Sequence, residues 1–174
     1  MSVRAVRAGH DHVGFAGLGR IGAAMFESVV EAGFSASAYD LRPEAVQVFL
    51  DGPHDVVAAT SPAEVASRSA VVDVVVNTDR QVLDVCLGAE GILAGSRPGT
   101  VVLLHSTISL ETLRTVATAG HEVGVHVLDA PVSGRYGHRS VGDLCVMVGG
   151  EPGAFERARP VPVSYTHLTL PTKA

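Results

Sequence analysis

Residues 17–22 read Gly17-Leu18-Gly19-Arg20-Ile21-Gly22, a G-x-G-x-x-G. Each glycine has a separate job in such a motif. The first lets the chain turn tightly, and the second leaves the backbone bare so that a pyrophosphate can approach. The third lets a helix pack closely on a strand. The helix N-terminus that follows offers N–H groups and a positive dipole end to phosphate. Taken alone the motif is weak, because a glycine-rich turn can be only a turn. Here the apolar run Val13–Ala16 precedes it, and Ile21, Met25 and Val29 follow at helical spacing. The strand-before, helix-after context that dinucleotide binding requires is therefore met. Asp40 lies 23 residues after Gly17. A carboxylate about 20 residues beyond the first glycine accepts hydrogen bonds from a ribose 2′-hydroxyl and repels a 2′-phosphate. The alternative role for Asp40 is to cap a helix starting near Pro43. Arg42, two residues on past Leu41, is a candidate partner for a 2′-phosphate, so NAD is favoured and NADP stays open.

The elements that must position these residues are legible in the apolar pattern. Short Val-rich runs recur at Val13–Ala16, Ala36–Tyr39, Val71–Val76, Val101–Leu104, Val123–Leu128 and Leu144–Val148. They are apolar on both faces, as strands buried in a parallel sheet are. Helical segments alternate with them. The first should stop at Gly33, Ser61-Pro62-Ala63-Glu64 is a capping box with Pro at N1, and Ile108 and Leu113 form a hydrophobic staple around an N-cap at Ser109. This order predicts an α/β fold, a Rossmann-type doubly wound, mainly parallel sheet with ligands at the strand carboxyl ends.

Composition narrows the function classes. The chain has 174 residues, 47% hydrophobic and 18% charged, with Lys+Arg 13 against Asp+Glu 18. That length fits one domain with a core. A net charge of −5 without a basic run gives nucleic-acid binding no electrostatic support. No run of about 18 apolar residues is present to span a membrane, and residues 1–12 lack the apolar centre of a signal peptide. Cys86 and Cys145 form no C-x-x-C, which fits a reducing, cytoplasmic setting. Cys145, within Leu-Cys-Val, reads as a small core hydrophobe. The eight histidines show no metal-ligand spacing. His105-Ser106 near an Asp has no G-x-S-x-G elbow to make it a hydrolase triad.

Four stretches resemble the β-hydroxyacid dehydrogenase family, which includes 3-hydroxyisobutyrate and L-threonate dehydrogenases. They are Gly14 to Met25 around the glycine motif and Val74-Val75-Val76-Asn77-Thr78 with Gly88-Ala89-Glu90-Gly91-Ile92. The others are Pro98-Gly99-Thr100 with His105-Ser106-Thr107-Ile108-Ser109, and Asp129-Ala130-Pro131-Val132-Ser133-Gly134 with Met147-Val148-Gly149-Gly150. They cover residues 12–161 in family order. The resemblance implies an NAD(P)-dependent dehydrogenase acting on a small 3-hydroxy acid or its semialdehyde, the parent protein being a homodimer or homotetramer. It puts Gly17, Leu18, Gly19, Arg20, Ile21, Gly22, Asp40, Leu41 and Arg42 on the adenosine diphosphate half of the cofactor. Val76, Asn77 and Thr107 would meet the nicotinamide half, and Ser133 and Gly134 the substrate carboxylate. Arg135 stands where the family has a second glycine and is a candidate further donor. 6-Phosphogluconate dehydrogenases and imine reductases share the glycine turn and are the alternative within the enzyme class. A stand-alone nucleotide-binding module is the alternative outside it.

The resemblance also implies a catalytic Lys on a helix beyond the Rossmann domain, opening an all-helical second domain. The only Lys here is Lys173, without such a helix around it, so no catalytic residue is assigned. The expected layout is a loose arm at 1–11, the dinucleotide-binding domain at 12–161 and a tail at 162–174. That tail resembles translated adapter or vector read-through and has no evident place in the core. On this reading the chain is the truncated cofactor-binding half of an enzyme.

Overall fold

The computed structural model describes residues 4–134 and 144–166. The elements run β1 (His12–Ala16), α1 (Arg20–Glu31), β2 (Ser35–Tyr39), α2 (Glu44–Leu50), β3 (Val56–Ala58), α3 (Pro62–Arg68), β4 (Val71–Val74) and α4 (Asp79–Leu87). They continue α5 (Ile92–Gly95), β5 (Val101–Leu104), α6 (Leu110–Glu122), β6 (His126–Asp129), β7 (Val132–Ser133), β8 (Cys145–Val146), α7 (Pro152–Ala158) and α8 (Pro160–Ser164). Six strands form a sheet in the order β3-β2-β1-β4-β5-β6, every pairing parallel. From β1 the chain winds outward through β2 and β3, then returns to lay β4 on the other side of β1. The order therefore reverses between β1 and β4, and the loops leaving their carboxyl ends diverge there. The Rossmann-type expectation is met.

Both faces of the sheet are covered, which is why β4 and β5 are wholly buried and, Asp73 of β4 apart, apolar. One face packs Met25, Phe26 and Val29 of α1 against Phe15 and Leu103. Phe26 sits edge-on to Phe15 at 5.3 Å and to Phe49 at 4.9 Å between ring centres. The other face packs Val65, Val82, Ile92 and Val116 from the opposite helices. Each such side chain contributes about 1.5–3 kcal/mol of transfer free energy.

The helix signals largely work as read. Gly33, at φ +88°, follows the end of α1, the left-handed position that glycine takes without a Cβ penalty. Ser61 and Ser109 accept N-cap bonds from Glu64 N–H and Thr112 N–H. The capping box is offset: the Glu64 carboxylate reaches the N–H and hydroxyl of Thr60, at 2.8 and 2.9 Å, and not Ser61 N–H. Those bonds, led by the Thr60 N–H, hold the Glu64 carboxyl below its usual value.

Several expectations are corrected. The strand read at Val123–Leu128 is His126–Asp129, because α6 runs to Glu122 and Gly124, at φ +74°, turns the chain first. Within Leu144–Val148 only Cys145 and Val146 form a strand, antiparallel to β7. Cys145 is exposed there rather than in the core, because a two-stranded ribbon leaves one face open. Residues 4–11 are not a loose arm: Val6 is buried and donates its N–H to Arg157 O, while Gly9 N–H bonds Gly33 O. The start of the expected tail does find a place in the core, where Pro162 and Tyr165 are buried.

Candidate functional site

The glycine turn joins β1 to α1 at the carboxyl edge of the sheet. Gly17 has φ +100°, and a Cβ there would run into the Val75 carbonyl oxygen. A Cβ on Gly22 would run into Gly17 O, so these two glycines are required by the fold itself. Gly19 differs. It is the N-cap of α1 with φ −65° and ψ −173°, a conformation open to any residue, and a Cβ there would meet nothing within 4 Å. Its bareness serves space outside the protein. The first N–H groups of α1 have no acceptor within the helix and face that space with the positive end of the dipole. Leu18 is buried, Ile21 packs on the core and Arg20 lies exposed at the head of α1.

Asp40, just past β2, ties the turn together. Its Oδ2 accepts the Leu18 N–H at 2.7 Å, and its Oδ1 accepts the Arg42 N–H at 2.9 Å and Arg42 Nε–H at 3.3 Å. The helix-capping role is not found, because Pro43 is the N-cap of α2 and no side chain caps it. Leu41 and the Arg42 side chain are exposed, 80% and 61%. An apolar side chain left so bare beside a charged one marks the lip of a cleft.

That cleft has a volume of about 750 Å³. Gly17, Gly19, Asp40, Leu41 and Arg42 line one side, and Val76 and Asn77, after β4, line another. Ser106 fixes this second wall. Its hydroxyl donates to Val76 O at 2.6 Å and accepts the Val76 N–H at 3.2 Å, while Asn77 N–H bonds Gln81 Oε1. Thr107 is exposed at the end of β5, and Ser133 and Gly134 lie just beyond β6. They share the carboxyl edge of the sheet but do not line this cleft. Arg135 lies outside the described residues.

Sequence reading missed part of the lining. Thr60, Ser61 and Pro62 close the cleft beyond β2, and Gln81, Asp84 and Gly88 close it beyond β4. Ser61-Pro62 carried only a helix-start signal. Its place here follows from β3 lying next to β2, which the local pattern does not encode. Outside that lining, Asp79 Oδ1 accepts both the N–H and the hydroxyl of Ser109, linking α4 to α6. The Ser109 hydroxyl bond first, with help from Thr112, holds the Asp79 carboxyl down to about 2.

Beneath the edge lies a polar cluster that the sequence did not reveal. His105 and Asp73 are wholly buried, with His105 Nε2 2.6 Å from Asp73 Oδ1 and His105 Nδ1 2.7 Å from Ala130 O. Tyr165 donates its hydroxyl to Asp73 Oδ1 at 2.7 Å. Burial first, then the neighbouring Asp73 charge, raises the Tyr165 phenol well above its ordinary value. Both ring nitrogens of His105 are engaged and Ser106 bonds Val76, so no hydrolase triad is assembled. Among the described residues no three His, Cys, Asp or Glu side chains gather as a metal site. No helix among them is long and apolar enough to cross a membrane.

Comparison with known proteins agrees with this geometry. The family described as the NAD binding domain of 6-phosphogluconate dehydrogenase matches residues 12–167. The NAD-dependent L-serine dehydrogenase of Pseudomonas aeruginosa is 39% identical over 154 residues, covering 86% of this chain and 49% of that protein. The crystal structure of 3-hydroxyisobutyrate dehydrogenase from Salmonella typhimurium superposes with a TM-score of 0.82 at 32% identity, over 90% of this chain and 54% of that one. A Mycobacterium tuberculosis 3-hydroxyisobutyrate dehydrogenase solved with L-serine gives 0.79 at 32% identity, over 90% and 52%. The chain thus spans about half the length of the relatives it matches. With its glycine turn, its Asp40 tether and its cleft at the β1–β4 switch point, the chain belongs to the NAD-binding domain family of 6-phosphogluconate dehydrogenase, as an N-terminal NAD-binding domain of the β-hydroxyacid dehydrogenase type.

Proposed function

We propose that this chain is the cofactor-binding half of a dehydrogenase that oxidises a small 3-hydroxy acid, or reduces the matching semialdehyde. The observation that carries the reading is Gly19, a helix N-cap whose missing Cβ clears no protein atom and opens only onto the cleft. The pyrophosphate of NAD lies over Gly19 and the first turn of α1, held by backbone N–H groups. The Asp40 carboxylate keeps the turn in shape through Leu18 N–H and offers its remaining lone pairs to the adenosine ribose. Arg42, already bonded to Asp40, stands where a 2′-phosphate would sit, so NADP is accepted as the weaker ligand. Val76 and Asn77 line the path toward the nicotinamide, and Thr107, outside the cleft on the same carboxyl edge of the sheet, would meet the nicotinamide half beyond it.

When bound, NAD supplies the hydride acceptor at its nicotinamide ring. The chain's own residues position the reactants. Ser133 and Gly134 grip the substrate carboxylate through a hydroxyl and an N–H, with Arg135 as a further donor. The names of the relatives point to short polar acids such as L-serine and 3-hydroxyisobutyrate as substrates. The proton of the substrate hydroxyl needs a general base, and the described residues place no Lys at the cleft. In the family resemblance that Lys belongs to a following helix, in a protein that assembles as a homodimer or homotetramer. The test is a fluorescence titration of the purified chain with NADH, followed by an assay of NAD reduction with L-serine and with 3-hydroxyisobutyrate. Saturable NADH binding, displaced by NAD, without turnover is the expected result. Failure to bind either nucleotide refutes the cofactor site, and steady turnover refutes the assignment of the chain as a half-site.

A further inference from the structure

His105 is placed where it can act on the substrate side of the site without touching the cleft. It directly follows β5, two residues beyond Leu103, and Asp73 of β4 is in register with Leu103. Side chains two apart share a sheet face, so Asp73 and His105 meet beneath the carboxyl edge. The opposite ring nitrogen reaches Ala130 O. Ala130 follows β6 and directly precedes Pro131, Val132, Ser133 and Gly134. One buried ring therefore joins β4, β5 and the root of the Ser133 loop.

The hydrogen-bond chemistry fixes the proton count. A carbonyl oxygen only accepts, so Nδ1 must carry a hydrogen to bond Ala130. Asp73 Oδ1 also faces Nε2 as an acceptor at 2.6 Å, so one more proton must lie between those two atoms, nearer one or the other. The pair is then neutral as a whole, which suits a wholly buried site where Asp73 Oδ2 has no partner at all. Remove the shared proton and His105 keeps a single N–H. It can then serve Asp73 or Ala130, but not both, because the other nitrogen turns a lone pair toward an acceptor. Among the described residues the other titratable side chain on the ring is Tyr165, whose hydroxyl lies 3.2 Å from Nε2 and donates to Asp73 Oδ1. It supports the pair from the far side and does not reach Ala130.

We propose that His105 is a positioning residue: through a proton shared with Asp73 it clamps the Ala130 carbonyl and sets the Pro131–Gly134 loop. The importance of that loop for substrate rests on the function proposed above, but the clamp is a property of the chain itself. Loss of the shared proton to solvent frees Ala130 and lets the loop shift.

The test follows the 174-residue chain, labelled with nitrogen-15, through a pH titration by NMR. Resonances of the His105 ring nitrogens are compared with the backbone amides of Val132, Ser133 and Gly134. The expected result is one shared transition, in ring and loop together. Asp73→Asn is the decisive variant. Its amide donates to Nε2 while Nδ1–H still bonds Ala130, so both links persist without a shared proton and the loop transition disappears. Tyr165→Phe keeps the transition. A ring that titrates while the loop amides stay still overturns the clamp. So does the absence of any shared transition before the chain unfolds, a loop transition that survives Asp73→Asn, or one abolished by Tyr165→Phe. The parent titration alone decides the matter if a variant fails to fold. NADH binding measured on the same samples separates the two readings. A shared transition without NADH binding refutes the cofactor site and leaves the clamp, and binding without the transition does the reverse.

Discussion

Replacing Gly19 with Ala should separate the binding role of the glycine turn from its folding role. At Gly19 the backbone is extended and a new Cβ meets no atom within 4 Å. Two small stability effects oppose each other there. Ala stiffens the unfolded chain by about 0.4–1 kcal/mol at a compatible site. Ala is also a poorer N-cap than Gly, by up to about 1 kcal/mol. The folded protein should therefore stay within about 1 kcal/mol of the parent. Gly17→Ala is the contrast, since φ is +100° and the Cβ runs into the Val75 carbonyl. Backbone strain of about 1–3 kcal/mol and overpacking of a similar size add up against it. Ligand affinity should respond in a different order. A methyl on residue 19 stands where a pyrophosphate must approach, and losing one hydrogen bond to a charged group costs about 1.5–3 kcal/mol. That weakens the NADH Kd by about 10- to 150-fold. Urea unfolding and NADH fluorescence titration of the same two variants read both quantities. A folded Gly19→Ala protein that binds NADH within about threefold of the parent would refute the reasoning, because that is under 1 kcal/mol.

Three further outcomes are expected. Arg42→Ala should weaken NADPH binding about tenfold or more and leave NADH within a few-fold, by competition titration, since only the 2′-phosphate would use the guanidinium. The Asp79 carboxyl sits at about 2, below its ordinary 3.8, so its share of stability is full above the unfolded value and fades as pH falls from about 4 toward 2. Melting temperatures across that window should fall less steeply in Asp79→Asn than in the parent. Cys145 is exposed, whereas burial pushes the Cys86 thiol up to about 12. A disulfide reagent should therefore titrate one thiol in the folded chain and the second only in denaturant.

The parts of the molecule that were legible in the sequence are those that short-range physics decides. The glycine turn, the Val-rich strands β1, β2, β4 and β5 and the caps at Ser61 and Ser109 each depend on residues within a few positions of one another, and each is found where expected. Spacing also located Asp40, but not its bonds. The ribose reading treated the carboxylate as waiting for a ligand, whereas both of its oxygens already hold backbone N–H groups of the turn and of Arg42. Segments expected to be loose failed for a different reason. A five-residue α8 and the stretch around Val6 have little intrinsic propensity, so their order comes from packing on a core that the local pattern does not display.

The same limit explains His105 and Asp73. They stand 32 residues apart and become neighbours only through the register of β4 on β5. A lone Asp inside Val71–Val74 reads as a flaw in a buried strand until the ring that meets it is known. A buried carboxylate with one unpartnered oxygen is costly. Its presence here makes sense if the pair does something that a Val and a Leu could not. Holding the root of the Ser133 loop by a proton is such a task, because apolar side chains in those places would pack as well but leave the Ala130 carbonyl without a donor.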